Sequence, residues 1–280
     1  MRFRAVGWGR GLTLTLTARE MDDLRRARAL LTSSGIAVRL TDLVGRPIEK
    51  GMKMLPSAAV ETVNACVRAA LSRALAVALS TMAQDERSSR DRLHKLATVA
   101  TGAVGGFFGL AGLAVELPVT TVIMLRSIGD IARGEGHDLA DPSVRVACLS
   151  VFALGGPGTQ DDAAETGYYA VRTALGKTLS DAARHMAEKG MAAEGAPVIV
   201  RLIDRIAVRF GLVVQEKVAL EAVPLVGAVS GSLINALFMD HFQGKARGHF
   251  IVRRLEAEHG IEVVRDAFER LGREDPGGGR

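Results

Sequence analysis

Apolar residues recur every three or four positions over most of the chain, which is the spacing of one face of an α-helix. The clearest run follows Pro56, where Val60, Val63, Val67 and Leu71 fall on one face. Capping residues or prolines precede several such runs and glycines follow them, as at the two ends of helices. The pattern predicts an all-α fold, a multi-helix bundle of about nine helices.

Two segments of the chain carry almost no charge. Residues 96–125 contain a single charged side chain, Glu116, and residues 222–239 contain none. Glycine destabilises a helix interior by about 1 kcal/mol relative to alanine, so repeated glycines here indicate close approach of another helix. We therefore expect two central apolar helices that contain glycine, at positions 102, 105, 106, 109 and 112 in the first segment and at Gly227 and Gly231 in the second.

A glutamate followed by a proline stands near each apolar helix. Pro118 lies two residues after Glu116, and Pro224 lies three residues after Glu221. Proline removes a backbone N–H and clashes with the preceding helical turn, so Pro118 predicts a break, with a helix from there to Gly134. The shared layout is compatible with an internal duplication and equally with chance.

The first apolar segment allows two interpretations. Residues 96–115 are uncharged and long enough to cross a bilayer, which takes about 20 residues. Most of them are Gly, Ala and Thr, which gain little from a lipid environment. A buried or interfacial helix is therefore favoured over a membrane-spanning one, and both interpretations stay open.

The chain divides into an arm, one domain and a tail. Residues 1–16 are predicted to be a flexible N-terminal arm, residues 17–272 a helical domain and residues 273–280 a disordered tail. A Gly-Gly-Pro-Gly run predicts a loop near residues 155–160, at which two halves of the domain would meet.

Several helix boundaries are marked by local signals. Thr17 and Glu20 have the spacing of a capping box, which predicts a helix start. Asp141-Pro142 predicts another start. Two separate helices are expected near residues 161–176 and 178–190.

Composition narrows the class of protein. Charged residues make up 24% and aromatic residues 4%, as in a folded protein built from tightly packed helices. The net charge of +5 suits an anionic membrane surface, whereas the sequence has no aromatic stacking platform or motif for nucleic acid. Cys66 and Cys148 are expected to be small buried hydrophobes without a disulfide or metal role. No secretory signal pattern is found, so a cytoplasmic location is expected.

No motif of a known catalytic, cofactor or metal site is present, so no cofactor and no metal are predicted. The candidate catalytic residues are Glu116, Glu221 and His241, because a carboxylate in apolar surroundings has a raised pKa and can act as an acid or base. A structural ion pair is the favoured interpretation of both glutamates, with Lys217 and Arg126 as nearby cations.

Helical spacing and burial give three further predictions about polar residues. Arg126 and Asp130 are four residues apart and should form an ion pair. His241 and His249 should share one helix face with Lys245 between them. Asn235 lies inside the second apolar segment and should hydrogen-bond to a backbone group, because an unpaired amide there costs roughly 1–3 kcal/mol.

Several strings of the chain resemble the EcsC family, in family order over about residues 17–260. They are Leu55-Pro56, ELPVTTVIMLRSIGDIARGEG (116–136), CLSVFALGG (148–156), VPLVGAVSGSLINALFMDHFQGKARGHFIVRRLE (223–256), and Tyr168-Tyr169 with Arg172. The resemblance implies a bacterial, largely helical protein, and the family is named from a gene beside an ABC-transporter operon. It transfers no catalytic residue. The positions that it marks as a structural motif are Pro118, Arg126, Gly134, Gly156, Pro224, Gly227, Asn235 and Phe250.

The leading functional hypothesis is a non-enzymatic cytoplasmic protein that associates peripherally with the inner face of the cell membrane. Its partner would be an anionic membrane surface or a membrane protein, with an ABC transporter as the expected setting. One alternative is a hydrolase that uses a buried glutamate, Glu116 or Glu221. The other is a pure protein-interaction scaffold.

Overall fold

The computed structural model describes residues 15–36, 38–39, 56–81, 109–156, 164–190, 195–221 and 231–274. Within these ranges it contains eight α-helices and no strand, which confirms the predicted all-α multi-helix bundle. The helices are α1 (Ala18–Thr32), α2 (Ser57–Thr81), α3 (Gly109–Gly134), α4 (Pro142–Leu154), α5 (Ala164–Lys189), α6 (Pro197–Glu221), α7 (Gly231–His259) and α8 (Ile261–Glu274).

The two predicted helix starts are confirmed. The Thr17 hydroxyl accepts the Glu20 N–H at 3.3 Å, and the Glu20 carboxylate accepts the Thr17 N–H at 2.7 Å, so the capping box of α1 is complete. At α4 the Asp141 carboxylate accepts the Ser143 N–H at 2.7 Å. Pro142 occupies the first turn, where no backbone donor is needed.

α3 runs through Pro118 without a break, so the break predicted at this proline is wrong. Pro118 cannot donate a hydrogen bond to the carbonyl of Ala114, four residues earlier. Ala114 and Val115 are exposed, whereas Leu113 and Leu117 are buried. Packing of the buried face therefore keeps the helix continuous, although one backbone hydrogen bond is lost.

α5 is one helix, so the two separate helices predicted near 161–176 and 178–190 are wrong. Its buried side chains Val171, Leu175 and Ala182 continue on one face across Gly176. Gly176 is exposed and has no neighbour within 4 Å of a Cβ. A glycine without a capping partner or a following proline is tolerated inside a helix that is held by packing.

α7, which carries the end of the second apolar segment, is central among the described helices together with α4, whereas α3, which carries the end of the first, packs against fewer helices. α7 packs against α1, α3, α4, α6 and α8, and α3 packs against α2, α4 and α7. Where α4, α6 and α7 meet, the rings of Phe152, Phe210 and Phe242 lie 4.8–5.4 Å apart, centroid to centroid. Phe238 joins them from α7 at 5.3 Å from Phe242.

Close helix approach is seen at a glycine of α7. A Cβ at Gly248 would lie 2.7 Å from Leu31 Cγ and 2.8 Å from the Ala27 carbonyl oxygen of α1. The approach predicted at Gly105 and Gly106 lies outside the described residues. Other predicted features also lie outside the described residues. They are the surroundings of Gly109, Pro224 and Gly227, most of the predicted arm, the middle of the loop near 155–160 and residues 275–280.

The apolar part of α3, Gly112–Gly134, is the one helix among the described residues that is long and apolar enough to cross a membrane. Of its apolar window, 44% is buried inside the fold. The core helix of a soluble protein has the same length and composition. Length and composition therefore do not distinguish a membrane-spanning α3 from a buried or interfacial one.

Candidate functional site

Both candidate glutamates bind the same lysine. Lys217 Nζ lies 2.6 Å from Glu116 Oε1 and 3.1 Å from Glu221 Oε1. The side chain of Lys217 is only 1% exposed, and its ammonium lies 5.7 Å from the centroid of the Phe238 ring. The favoured interpretation as structural ion pairs agrees with this geometry, although the cation of Glu116 is Lys217 and not Arg126.

The lysine and the two glutamates are electrostatically coupled. Burial raises the pKa of Glu221, and the nearby Lys217 charge acts in the opposite direction. Leaving a buried ammonium without a carboxylate is far more costly than pairing it. The cluster therefore serves to hold α3 and α6 together.

His241, the third candidate, lies apart from the two glutamates. Its Nε2 donates a hydrogen bond to the Gly155 carbonyl oxygen at 2.9 Å, and its Nδ1 is buried without a partner in the described part of the chain. Burial lowers the pKa of His241 to about 4, and the nearby Lys245 charge adds to the effect. Among the described residues no hydrogen bond or ion pair joins it to Glu116 or Glu221. The acid–base pair that the hydrolase alternative requires is therefore not formed by these contacts.

Lys245, between the two histidines of α7, closes the end of α1. Its Nζ donates to the Leu31 carbonyl oxygen at 2.7 Å and to the Ser33 carbonyl oxygen at 3.2 Å. Burial lowers the pKa of Lys245 to about 8. A cation suits this position because the carbonyls at a helix C-terminus lack partners.

Two motif positions lie in the C-terminal half of α3. The contact seen for Asp130 is an ion pair with Arg133 at 2.7 Å, and the predicted Arg126–Asp130 ion pair stays a prediction. A residue on a helix has neighbours at both three and four positions, and spacing alone does not choose between them. Gly134 ends α3, as the glycine signal predicted.

The remaining described motif positions lie in tight packing. A Cβ at Gly156 would lie 3.3 Å from the Arg209 carbonyl oxygen. Phe250 is fully buried, and its carbonyl oxygen accepts a hydrogen bond from His137 Nε2 at 3.1 Å. The Oδ1 of Asn235 is buried and has no hydrogen-bond partner among the described residues, so the predicted bond from this oxygen is not found there.

A second polar cluster joins α5 to α7. Arg172 binds Glu256 through two parallel hydrogen bonds of 2.6 and 2.7 Å. The same guanidinium donates to the Tyr168 hydroxyl at 3.3 Å, and this hydroxyl lies 3.0 Å from His249 Nδ1. Tyr169 donates to Glu256 at 3.4 Å. These side chains form a continuous buried network.

The network fixes the protonation of His249. Burial, helped by the charges of Arg172 and Arg253, lowers the pKa of His249 well below 6.5, so the ring is neutral. The Tyr168 oxygen accepts from Arg172, which can only donate, so its own proton is free for His249 Nδ1. The histidine proton therefore sits on Nε2, which is buried without a partner among the described residues.

A cavity of about 320 Å³ lies beside this network, and we call it the α5–α7 cavity. One side is lined by Arg172, His249 and Arg253. The rest of its lining comes from α4 and α5 and is mostly apolar, with three serines among the apolar side chains. Its size is within the range of small-molecule sites.

A family model matches the part of the chain that contains most of this site. The EcsC protein family matches residues 20–255, which is most of the chain. The chain belongs to the EcsC family. No curated protein and no solved structure matches it significantly. Within the EcsC match lie Arg172, His249 and Arg253, and Glu256 follows its last residue directly.

The sequence marked Tyr168, Tyr169 and Arg172 of this EcsC protein only as positions that resemble the family. It did not predict the cavity. A usable signal was present in α7, because His249, Arg253 and Glu256 are spaced four and three residues apart on one helix face. Three polar side chains in register on a buried helix require partners or a ligand.

One group of side chains in the described EcsC residues has the spacing of a metal site. Single ligand atoms of Glu20, Glu258 and His259 lie within 4.8 Å of one another. His259 Nε2 is already paired with Glu20 Oε1 at 2.9 Å, and the other Glu20 oxygen accepts from Thr17. These contacts lower the pKa of Glu20 to about 2, led by the Thr17 hydrogen bond. The capping box and the ion pair account for this cluster without a metal.

Proposed function

We propose that this EcsC-family protein is a non-enzymatic protein that associates peripherally with the cytoplasmic face of the membrane. The observation that supports the proposal best is an exposed apolar strip on α6. Val208 and Leu212 are 70% and 45% exposed and lie one helical turn apart, and Val200, 46% exposed, lies two turns before Val208. The exposed Asp204 lies between Val200 and Val208, so the apolar surface is centred on Val208 and Leu212. Fully burying an exposed side chain of this kind contributes about 1.5–3 kcal/mol, and these side chains are about half exposed, so each contributes about 1 kcal/mol when it enters a bilayer interface.

Exposed basic residues on the neighbouring helix α2 suit an anionic lipid surface. α2 packs beside α6, where Gln215 donates to Asn64 at 3.2 Å. Arg68, one turn beyond Asn64, and Arg73 are exposed on α2. Each Lys or Arg near an anionic membrane contributes about 1 kcal/mol. The net charge of +5 acts in the same direction.

The contacts of α3 favour peripheral binding of the protein over insertion of α3 across the membrane. Met124, Leu125 and Ile128 are buried in the core, and Glu116 is bound to Lys217. A helix that entered the bilayer along its whole length would lose these contacts. Val115, which is 67% exposed, could enter the interface without disturbing the core.

The non-enzymatic part of the proposal is supported by the contacts of the candidate catalytic groups. Glu116 and Glu221 are held by Lys217, and His241 is held by the Gly155 carbonyl. The accessory role beside an ABC transporter stays a prediction that the family name motivates.

Vesicle sedimentation tests the proposal. The protein should co-sediment with vesicles of 70% phosphatidylcholine and 30% phosphatidylglycerol at 50 mM salt, and much less with pure phosphatidylcholine. The double substitution V208E/L212E should weaken binding at least tenfold, since it places two charges in the apolar strip. The matched control is Ile261→Glu, which exchanges another exposed apolar residue, 56% exposed, in the first turn of α8.

Cell fractionation tests the peripheral mode. Protein expressed in bacterial cells should sediment with membranes and be released by carbonate at high pH. Retention after carbonate would indicate a spanning helix instead. A wild-type protein that stays in solution with anionic vesicles would make the proposal wrong.

A further inference from the structure

The α5–α7 cavity contains a cation, Arg253, that forms no ion pair with a described residue. Both oxygens of Glu256 are occupied by Arg172. Arg253 makes no hydrogen bond or ion pair within the described residues, and its Nε is buried without a partner. The side chain of Arg253 is partly exposed, and a partly buried guanidinium that lacks a paired anion gains from a bound one.

The polar wall of the cavity presents donors. No acidic side chain is found among the described residues that line it. The neutral His249 has its unpaired N–H on Nε2, because Nδ1 faces the Tyr168 hydroxyl. Burial lowers the pKa of Arg253, and the nearby Arg172 charge adds to the effect, so an arriving anion would relieve both penalties.

The other wall limits the rest of the ligand. Leu154, Leu175 and Leu179 offer apolar surface. The lining serines Ser143 and Ser150 already donate their hydroxyl protons to Asp141 and to the Ala147 carbonyl oxygen. A volume of about 320 Å³ corresponds to roughly ten water molecules at about 30 Å³ each. This space suits a single short chain or one ring, and it is too small for a two-chain lipid.

We propose that the α5–α7 cavity binds a small organic anion, with a carboxylate or phosphate head on Arg253 and a short apolar body against α4 and α5. The site is separate from the exposed strip of α6, so the inference does not rest on membrane association. Arg253 is the residue that holds the anion. Arg172 positions the wall through Glu256 and Tyr168.

Calorimetric titration in the absence of vesicles tests the proposal, with octanoate and octyl phosphate as probes below their micelle concentrations. At least one should bind wild type saturably with 1:1 stoichiometry. Octanol and inorganic phosphate should each bind at least tenfold more weakly, because each lacks one half of the ligand. Failure of both probes, or equal binding of inorganic phosphate, would overturn the proposal.

Arg253→Gln should weaken binding about 10- to 100-fold, the usual effect of losing a charge-assisted hydrogen bond. The matched control Arg247→Gln, an exposed arginine of the same helix, should bind like wild type. The ligand-free Arg253→Gln protein should melt at the same temperature as wild type or higher, since an uncompensated cation has been removed. A lower melting temperature together with unchanged probe affinity would show that Arg253 is only structural.

Ala183→Trp separates the cavity from the membrane surface. Ala183 lines the cavity, so an indole there should fill it and abolish probe binding while Arg253 stays in place. Vesicle sedimentation of this variant should remain as in wild type. Loss of both probe binding and vesicle binding would mean that the cavity holds a lipid headgroup and not a free organic anion.

Discussion

At the scale of single residues, two helical glycines differ in the space around them. A side chain would clash at one and fit at the other. Gly248 in α7 has the backbone of α1 directly against it, with the Ala27 carbonyl oxygen 2.8 Å from an added Cβ. Gly176 in α5 has open space. Both lie inside helices, where glycine costs about 1 kcal/mol relative to alanine.

Gly248→Ala is expected to destabilise the protein by about 1–3 kcal/mol, because a methyl group there pushes α1 away from α7. Gly176→Ala should raise the free energy of unfolding by up to about 1 kcal/mol, through helix propensity alone. Urea unfolding of the two variants measures both values. If the two changes had the same sign, the close approach of α1 and α7 would be refuted.

At the scale of elements, α3 shows that packing outweighs a local breaker. Pro118 removes one backbone hydrogen bond in the middle of a 26-residue helix. A proline inside a helix costs about 3 kcal/mol. The buried residues on both sides of it, Leu113, Leu117 and Met124, provide the compensating contacts.

Pro118→Ala should therefore raise the free energy of unfolding by about 1–3 kcal/mol, since it restores the donor and removes the ring clash. Pro142→Ala serves as the matched control. Pro142 is at the first turn of α4, where proline is favourable, so its replacement should lower stability by about 0.4–1 kcal/mol. Calorimetric melts give both values, and a destabilised Pro118→Ala protein would mean that the proline shapes α3 for its contacts.

At the scale of the whole molecule, buried charges join helices that are distant in sequence. Lys217 of α6 binds Glu116 of α3 across 101 positions of the chain. Arg172 of α5 binds Glu256 of α7 across 84 positions. Such pairs link helices that are far apart in the chain, at the cost of removing charges from water.

Neutralising both carboxylates around Lys217 should be strongly destabilising. The double substitution E116Q/E221Q leaves an ammonium that is 1% exposed without a counter-ion, and about 3–5 kcal/mol of stability should be lost. Adding Lys217→Met removes that charge and should recover most of the loss. Glu116→Gln alone is the control with a milder effect, because Glu221 remains. A double variant as stable as wild type would show that the ion pairs contribute nothing.

The sequence by itself determined the helical class of this protein and many boundaries of its helices. The capping box at Thr17, the start at Asp141-Pro142 and the end at Gly134 are all present as predicted. Each signal acts within one or two turns of the chain, so it is readable without knowledge of the neighbours. The buried faces of α2 and α7 follow from the same short-range periodicity.

Only the tertiary structure decided the partners. Lys217 binds Glu116 of α3, which lies 101 positions away, as well as Glu221 four positions along its own helix. The α5–α7 cavity arises because Arg172, His249 and Arg253 meet from different helices against an apolar wall. Such meetings depend on helix packing over many tens of residues, and helical spacing carries no record of them.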